Sequence, residues 1–195
     1  MLAGLYCIVD RAQRGIGMSN EIIDFWFSEL EPNQWWQKDL EFDSMIQRRF
    51  GLLYEQAQAG ELFQWRETAK GSLAEIIILD QFSRNIYRDK AESFSCDPLA
   101  LALAQFSIAK GFDLELSETE RTFLYLPFMH SESQLIHVEA VKLYEALGNS
   151  GNLDFEHKHK AIIDRFGRYP HRNTILGRTS TEEEIEFLKQ PNSSF

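Results

Sequence analysis

Cysteine is scarce in this chain. The two cysteines, Cys7 and Cys96, stand far apart, so they indicate neither a disulfide framework nor a Cys-x-x-Cys metal site. We therefore expect a reducing, cytoplasmic setting, and we expect neither a cofactor nor a bound metal.

Long apolar runs are missing as well. None approaches the ~18 residues that a membrane-spanning helix needs, so no membrane association is expected. The apolar stretch Met1–Val9 is short and lacks the basic residues that begin a secretory signal peptide. Met18 directly precedes Ser19-Asn20, two residues typical of helix starts. Residues 1–17 are therefore interpreted as a peripheral extension or as sequence upstream of the native translation start.

Positive charge is in the minority. Against 30 Asp and Glu there are 20 Lys and Arg, which gives a net charge of −10. Such a chain repels nucleic-acid phosphates and anionic lipid, so nucleic acid is not an expected partner. The basic residues nevertheless concentrate in one segment, where only Asp164 opposes them. They are Lys158, Lys160, Arg165, Arg168, Arg172 and Arg178. This block indicates a small anionic ligand or a buried ion-pair network.

Strand signals are nearly absent. There is no hairpin turn between alternating runs and no strand–helix rhythm, so the sequence predicts an all-α protein of about seven or eight helices. Hydrophobic residues make up 44% of the chain and aromatic residues 13%, which is enough for a packed core. We expect one domain over residues 18–190, followed by a short tail at 191–195.

Three stretches match the capping box. In this motif a Ser or Thr accepts a hydrogen bond from the backbone N–H three residues later, and a Glu at that position bonds back. The boxes begin at Ser72, Ser117 and Thr181. The first predicts a buried helix from Leu73 to Asn85.

Other helix boundaries are predicted from single residues. Ser19 or Asn20 is expected to cap the first helix. Asp97 is expected to cap a later one that has Pro98 at its first position. Pro127 is expected to kink or end the helix in which it stands. The remaining predictions are a helix over Asp154–Phe166 and helix ends at Gly60, Gly111, Gly148 and Gly167.

Asp80, Arg84 and Arg88 recur every four residues and so share one face of a helix. Asp80 can pair with Arg84, whereas Arg84 and Arg88 repel one another unless an anion lies between them. The two arginines are therefore candidate ligand-binding residues. The alternative is that Asp80 and backbone carbonyls at the helix end satisfy both.

His130 follows the break at Pro127, where an imidazole can be presented to a ligand. The alternative is a core histidine bonded to the backbone. The spacing from His130 to Glu132 matches one part of the zinc-deaminase signature, but the Pro-Cys-x-x-Cys part is absent, so that class is rejected. A metal site would need these two residues to converge with His159 and His171, and we expect none.

The block from Phe166 to Thr174 has the densest polar chemistry. Arg168 and Arg172 can offer forked donors to a carboxylate or phosphate. His171 can act as an acid or base near neutral pH, and Asn173 can hold a carbonyl group. The alternative is that the block caps the preceding helix and ties it to the acidic surface.

Nucleophile and nucleotide motifs are missing. The chain contains no nucleophile elbow, phosphate-binding glycine loop, dinucleotide fingerprint or His-Glu-x-x-His. An enzymatic role would therefore depend on histidine acid–base chemistry.

Taken together, these segments resemble an uncharacterised family of bacterial helical proteins, over a span from Glu21 to Leu188. The resemblance implies a tetratricopeptide-like superhelix of stacked helical hairpins, and it implies no activity. Tyr169 stands where that family usually has Phe, and Leu135-Ile136-His137 stands where it often has an Asp-Gln pair. The matching stretches are Asp24–Phe27, Leu79–Arg88, Leu126–Glu132, His159, Arg165–Asn173, Leu176–Arg178 and Ser180–Glu184.

Four functional interpretations remain open. The leading one is a pocket for a small ligand that bears phosphate or carboxylate. The second is a hydrolase- or transferase-type enzyme with His130 or His171 as acid–base and Glu132 orienting it. The third is a protein-interaction module that uses the concave face of the superhelix, and the fourth is a purely structural network. The candidate pocket residues are Arg84, Arg88, His130, Glu132, His159, Arg168, His171, Arg172 and Asn173.

Overall fold

The computed structural model describes residues 17–191, 193 and 194, and every regular element in that part of the chain is helical. The predicted all-α class is therefore confirmed. The extension predicted for residues 1–17 falls almost entirely outside the described residues. The helices are α1 (17–24), α2 (Leu40–Gln58), α3 (Ala69–Ile77), α4 (Ser83–Ile86), α5 (Asp97–Ala109), α6 (Glu118–Met129), α7 (Gln134–Leu147), α8 (Ser150–Phe166) and α9 (Glu182–Phe187).

Short helical turns connect some of these helices. A π-helical turn over Phe25–Glu29 follows α1, and a second one over Ile78–Phe82 joins α3 to α4. The 3₁₀ turns are Phe63–Glu67, Ala91–Phe94, Phe112–Glu115 and Pro170–Arg172. Within the described residues, no helix combines the length and the apolar character needed to cross a bilayer.

Two of the three predicted capping boxes are confirmed. Ser117 and Thr181 each accept from the backbone N–H three residues on, and the Glu at that position bonds back. Gly148 and Gly167 end α7 and α8 with φ values of 81° and 68°, in the left-handed region that glycine favours.

The predicted box at Ser72 is wrong. Helix α3 begins at Ala69, because Thr68 is its N-cap and accepts from the N–H of Gly71. Ser72 and Glu75 are buried inside the helix. Glu75 instead accepts two hydrogen bonds of 2.7 Å from Arg66, a charged partner that is stronger than a backbone amide.

Two other boundaries also differ from prediction. Helix α1 is already formed at residue 17, so Ser19 lies inside it and is buried rather than capping it. Helix α8 begins at Ser150 instead of Asp154, because Asn149 caps it and accepts from the N–H of Asn152. Of the two effects expected of Pro127, a kink or a helix end, the end is excluded, because α6 continues past it to Met129.

The start of α5 also needs correction. Cys96 occupies the N-cap position and Asp97 is the first helical residue, with Pro98 in the first turn. Proline is tolerated there because the first helical N–H groups have no partner within the helix. Asp97 therefore directs its carboxylate to other parts of the molecule.

The core is built around aromatic rings. Phe25, Trp26 and Phe82 pack together, and Phe123 meets Trp26 edge-on at 5.7 Å. Helix α2 buries Phe42, Ile46, Phe50, Leu53 and Ala57, and Met45 is half-buried against the same core. The second π-helical turn crosses the middle of this core with all five residues buried, Asp80 included.

The chain after α8 returns to the rest of the molecule. Tyr169 is fully buried and packs with Ile162 and Ile163 in a small second cluster. Its hydroxyl donates to the backbone oxygen of Met129 at 2.5 Å. This contact places the turn Pro170–Arg172 against the end of α6.

Candidate functional site

A cavity of about 380 Å³ opens where the start of α5, the end of α6 and the turn Pro170–Arg172 meet. A cavity of this volume is within the range of small-molecule sites. Its lining residues are Ala91, Phe94, Ser95, Asp97, Pro98, Leu101, Pro127, His130, Ser131, Glu132, Arg172 and Leu176.

Arg172 brings a buried positive charge to one wall of the cavity, with 6% of the residue exposed. Its guanidinium carbon lies 4.6 Å from the ring centre of Phe94 and 4.5 Å from that of Tyr169. Its Nη1 donates to Asp97 Oδ2 at 3.3 Å, and its Nε has no hydrogen-bond partner in the described part of the chain. Burial and the nearby Arg84 lower the pKa of Arg172. A guanidinium still stays protonated, so this wall carries a charge with unused donors.

Asp97 is shared by two arginines. Arg84 on α4 approaches its two carboxylate oxygens at 3.0 and 3.1 Å and also donates to the backbone oxygen of Asp80 at 2.5 Å. Arg172 reaches the same carboxylate from the C-terminal segment. Sequence reasoning treated Asp97 only as a helix cap, because no local pattern shows which distant cations a carboxylate will meet.

Asp80 and His130 form a hydrogen-bonded pair beside the cavity. His130 Nδ1 lies 2.8 Å from Asp80 Oδ1, and Gln81 Nε2 donates to the other carboxylate oxygen at 2.6 Å. Burial of Asp80 opposes its ionisation, yet Arg84 and His130 hold its pKa well below the usual range. Burial and Arg84 lower the pKa of His130. The pair is therefore an ionised carboxylate and a neutral imidazole.

Glu132 and Asn173 hold the C-terminal segment in place. Glu132 accepts two hydrogen bonds from Arg178, at 2.5 and 2.9 Å, and one from the N–H of Tyr169 at 2.8 Å. Asn173 is fully buried, donates to Ser180 Oγ and accepts from Arg178 Nε, both at 3.0 Å. The expected role of Glu132 in orienting a histidine falls instead to Asp80.

His171 and His159 lie outside the lining of the cavity. His171 Nδ1 is buried without a hydrogen-bond partner among the described residues. Burial and Arg172 lower the pKa of His171 to about 4. His159 Nδ1 lies 2.8 Å from the backbone oxygen of Phe155, and burial lowers the pKa of His159 to about 3. Both imidazoles are neutral at physiological pH.

A buried polar chain lies behind the site. His137 Nδ1 is 2.7 Å from Glu156 Oε1, and its Nε2 lies 2.9 Å from the backbone oxygen of Ser131 and 3.2 Å from the hydroxyl of Tyr169. Burial raises the pKa of Glu156 although His137 opposes the shift. Sequence reasoning missed this pair, since His137 was noted only as a departure from the family pattern.

The predicted site residues do not all meet. His130, Glu132 and Arg172 line the cavity, whereas Arg84 pairs with the lining residue Asp97 and Asn173 bonds to Arg178. Arg88 instead donates to Asp43 at 2.5 and 2.7 Å. Arg168 donates to Glu184 at 2.7 and 2.8 Å. Across residues 17–191, 193 and 194, no group of three His, Cys, Asp or Glu side chains is arranged to hold a metal ion.

Comparison with known proteins extends the resemblance seen in the sequence. No curated protein matches the chain significantly. The structure is similar to that of a protein of unknown function from Agrobacterium tumefaciens, with a TM-score of 0.86 and 39% sequence identity. The match covers 89% of this chain and 98% of the other.

A family model described as "Bacterial protein of unknown function (DUF924)" matches residues 22–192. This span includes the core, the cavity and the C-terminal segment that carries Arg172. The chain therefore belongs to the DUF924 family of bacterial proteins.

Proposed function

We propose that this protein is a cytoplasmic binder of a small carboxylate, which Arg172 holds in the cavity. The proposal depends mainly on the state of Arg172, a cation that is 6% exposed. Its Nε has no hydrogen-bond partner in the described residues, and its Nη1 makes only a long hydrogen bond to Asp97. A buried donor without a partner costs about 1–3 kcal/mol. A ligand carboxylate that engages this guanidinium in a forked pair would recover much of that cost.

The charges around the cavity favour a monoanion over a phosphate dianion. Arg84 and Arg172 are balanced by Asp80 and Asp97, and Glu132 is paired with a cation of its own. A dianion would meet these carboxylates at short range, and Arg172 is the one Lys or Arg among the described residues that line the cavity, so the repulsion would not be offset. A carboxylate needs one guanidinium edge, which Arg172 supplies.

The rest of the lining favours an apolar body on the ligand. Five apolar residues are among those that line the cavity: Phe94, Pro98, Leu101, Pro127 and Leu176. Apolar walls with a few placed polar groups are typical of sites that bind small organic molecules. Small aromatic and aliphatic monocarboxylic acids fit this combination.

Two parts of the proposal concern the whole molecule. The scarcity of cysteine supports the cytoplasmic setting. The packing of α6 on α7 and of α7 on α8 supports a superhelix of stacked, tetratricopeptide-like hairpins. A comparison of interhelical angles with those of tetratricopeptide repeats would test the second point.

Calorimetric titration tests the binding. We expect 4-acetamidobenzoate and benzoate to bind the wild type and inorganic phosphate to bind more weakly. Arg172→Gln should weaken carboxylate binding at least about tenfold, since a charged hydrogen bond contributes about 1.5–3 kcal/mol. Arg88→Gln is the matched control, because Arg88 pairs with Asp43 away from the cavity. Equal loss in both variants, or no binding of any carboxylate, would contradict the proposal and favour a protein-interaction role.

Asp97→Asn gives a second test that does not remove the cation. Asp97 is the carboxylate that competes for Arg84 and Arg172. Removal of its charge should tighten benzoate binding by roughly tenfold, because the two arginines would no longer be attracted to Asp97. Opposite charges about 4 Å apart near a protein surface attract each other by about 4 kcal/mol. Weaker benzoate binding in this variant would show that the arginines do not hold the ligand.

A further inference from the structure

We propose that Asp80 and His130 form a general-base pair that hydrolyses a small ester bearing a carboxylate. The proposal rests on the proposed function, because Arg172 would hold the carboxylate while the ester group lies at His130. His130 and Arg172 line the same cavity, which is what a bound substrate would need to touch both.

The contact with Asp80 fixes the tautomer of His130. Asp80 is ionised and can only accept, so the 2.8 Å contact requires that His130 Nδ1 carries the proton and donates it. The remaining nitrogen, Nε2, is then an unprotonated acceptor. A carboxylate that orients an imidazole in this way also stabilises the imidazolium that forms when Nε2 takes a proton.

The surroundings of Asp80 hold it rigidly. It belongs to the π-helical turn Ile78–Phe82, whose apolar members Ile78, Leu79 and Phe82 are fully buried. Gln81 Nε2 donates to Oδ2 at 2.6 Å, while Oδ1 lies 2.8 Å from His130 Nδ1 and 3.3 Å from Arg84 Nη1. An ionised side chain with no exposed surface is costly to keep in an apolar helix. Single π-helical turns of this kind often occur at functional sites.

The charged groups around His130 keep it neutral. Asp80 from the π-helical turn and Asp97 from α5 favour its protonated form, whereas burial and Arg84 from α4 oppose it and prevail. The lowered pKa of His130 leaves Nε2 available as a base at neutral pH.

The reaction uses water as the nucleophile. Water attacks the ester carbonyl carbon as His130 Nε2 accepts one of its protons, so a carbon–oxygen bond forms and a tetrahedral oxyanion results. The intermediate collapses with cleavage of the bond to the leaving oxygen. The imidazolium returns its proton to that oxygen, which gives a carboxylic acid and an alcohol and regenerates the neutral base. No other reactant is consumed.

The test uses 4-acetoxybenzoate as substrate. Its carboxylate matches Arg172, and its para acetate ester cannot be attacked by its own carboxylate. We expect hydrolysis above the buffer rate, and much slower hydrolysis of the neutral methyl ester. His130→Gln and Asp80→Asn should each lower kcat by about 10²- to 10⁴-fold. Both should still bind 4-acetamidobenzoate, the amide analogue, measurably, because Arg172, which would hold the carboxylate, is unchanged in both variants.

Arg88→Gln, outside the cavity, should hydrolyse the ester like the wild type.

The results distinguish failure of the general-base inference from failure of the proposed binding function. If Arg172 is required to bind 4-acetamidobenzoate but no hydrolysis of 4-acetoxybenzoate exceeds the buffer rate, the general-base inference is wrong and the binding function stands. If hydrolysis persists unchanged in His130→Gln, the base lies elsewhere and the inference is likewise overturned. If the amide analogue does not bind at all, the proposed function fails with it.

A measurement on the wild type covers the case in which both buried-site variants fail to fold. Turnover in D₂O should be slower than in H₂O, because a proton of the attacking water moves in the rate-limiting step. Equal turnover in the two solvents would contradict general-base attack by water.

Discussion

At the scale of single residues, the site depends on groups that are buried in defined charge states. Arg172 and Asp80 are kept charged inside the protein, whereas His171 and His159 are kept neutral. The sequence shows which residue types are present, but it could not predict how deeply these four side chains are buried. His171 and His130 looked equivalent there, and only the fold shows that His130 lines the cavity with a carboxylate behind it.

The neutral histidines predict acid sensitivity. The unfolded chain protonates its histidines below pH 6.5, whereas the pKa values of His171 and His159 in the folded protein are about 4 and about 3. The unfolded state then binds more protons, so stability falls as pH drops from 6.5 towards 4, by about 1.4 kcal/mol per pH unit for each histidine. Urea unfolding at pH 7, 6 and 5 should show this fall.

Variants identify which histidine is responsible. His171→Asn should make the pH dependence shallower, while the exposed His157→Gln is the matched control and should leave it unchanged. A pH dependence as steep in His171→Asn as in the wild type would show that His171 is protonated in the folded protein.

At the scale of elements, two of the three predicted capping boxes start their helices as expected, and both of these caps are exposed. Ser117 and Thr181 behave as their local sequence indicates. Ser72 failed because its partner Glu75 had a better contact with Arg66, a residue that precedes the helix. Local rules therefore hold until tertiary contacts offer a side chain a stronger bond.

The early start of α3 predicts that position 71 strictly requires glycine. A Cβ at Gly71 would lie 2.1 Å from the backbone oxygen of Trp65, and that backbone cannot give way cheaply. Gly71→Ala should lower the free energy of unfolding by at least about 1–3 kcal/mol. Gly51→Ala in α2 is the matched control, since its Cβ would meet only Gln47 at 4.0 Å, and it should raise stability by up to about 1 kcal/mol. Equal effects of the two substitutions on thermal unfolding would contradict this account.

At the scale of the whole molecule, segments distant in sequence form one cavity. Asp97, His130 and Arg172 come from α5, the end of α6 and the C-terminal segment. The sequence predicted helices and polar blocks, but it could not predict that Arg88 and Arg168 would turn to Asp43 and Glu184. That outcome depends on how helices pack, which no local pattern determines.

The C-terminal segment is expected to open before the core does. Apart from its small apolar cluster, it is held by polar contacts, which include the pairs Glu132–Arg178 and Arg168–Glu184, whose arginines are partly exposed. Such contacts are weaker than a buried core. Hydrogen exchange should be faster in α9 than in α3, and Glu132→Gln should accelerate it further. Glu139→Gln, which breaks an exposed pair on α7, is the control. Equal protection of α9 and α3 would contradict the expectation.

The most direct test of the central claim is a crystal structure of the protein with bound 4-acetamidobenzoate. The account predicts the carboxylate within about 3 Å of the Arg172 guanidinium. The aromatic ring should lie among Phe94, Leu101 and Leu176, with the amide group near His130 Nε2. A ligand bound elsewhere on the protein, or a cavity in which Arg172 contacts only Asp97 at saturating ligand, would contradict it.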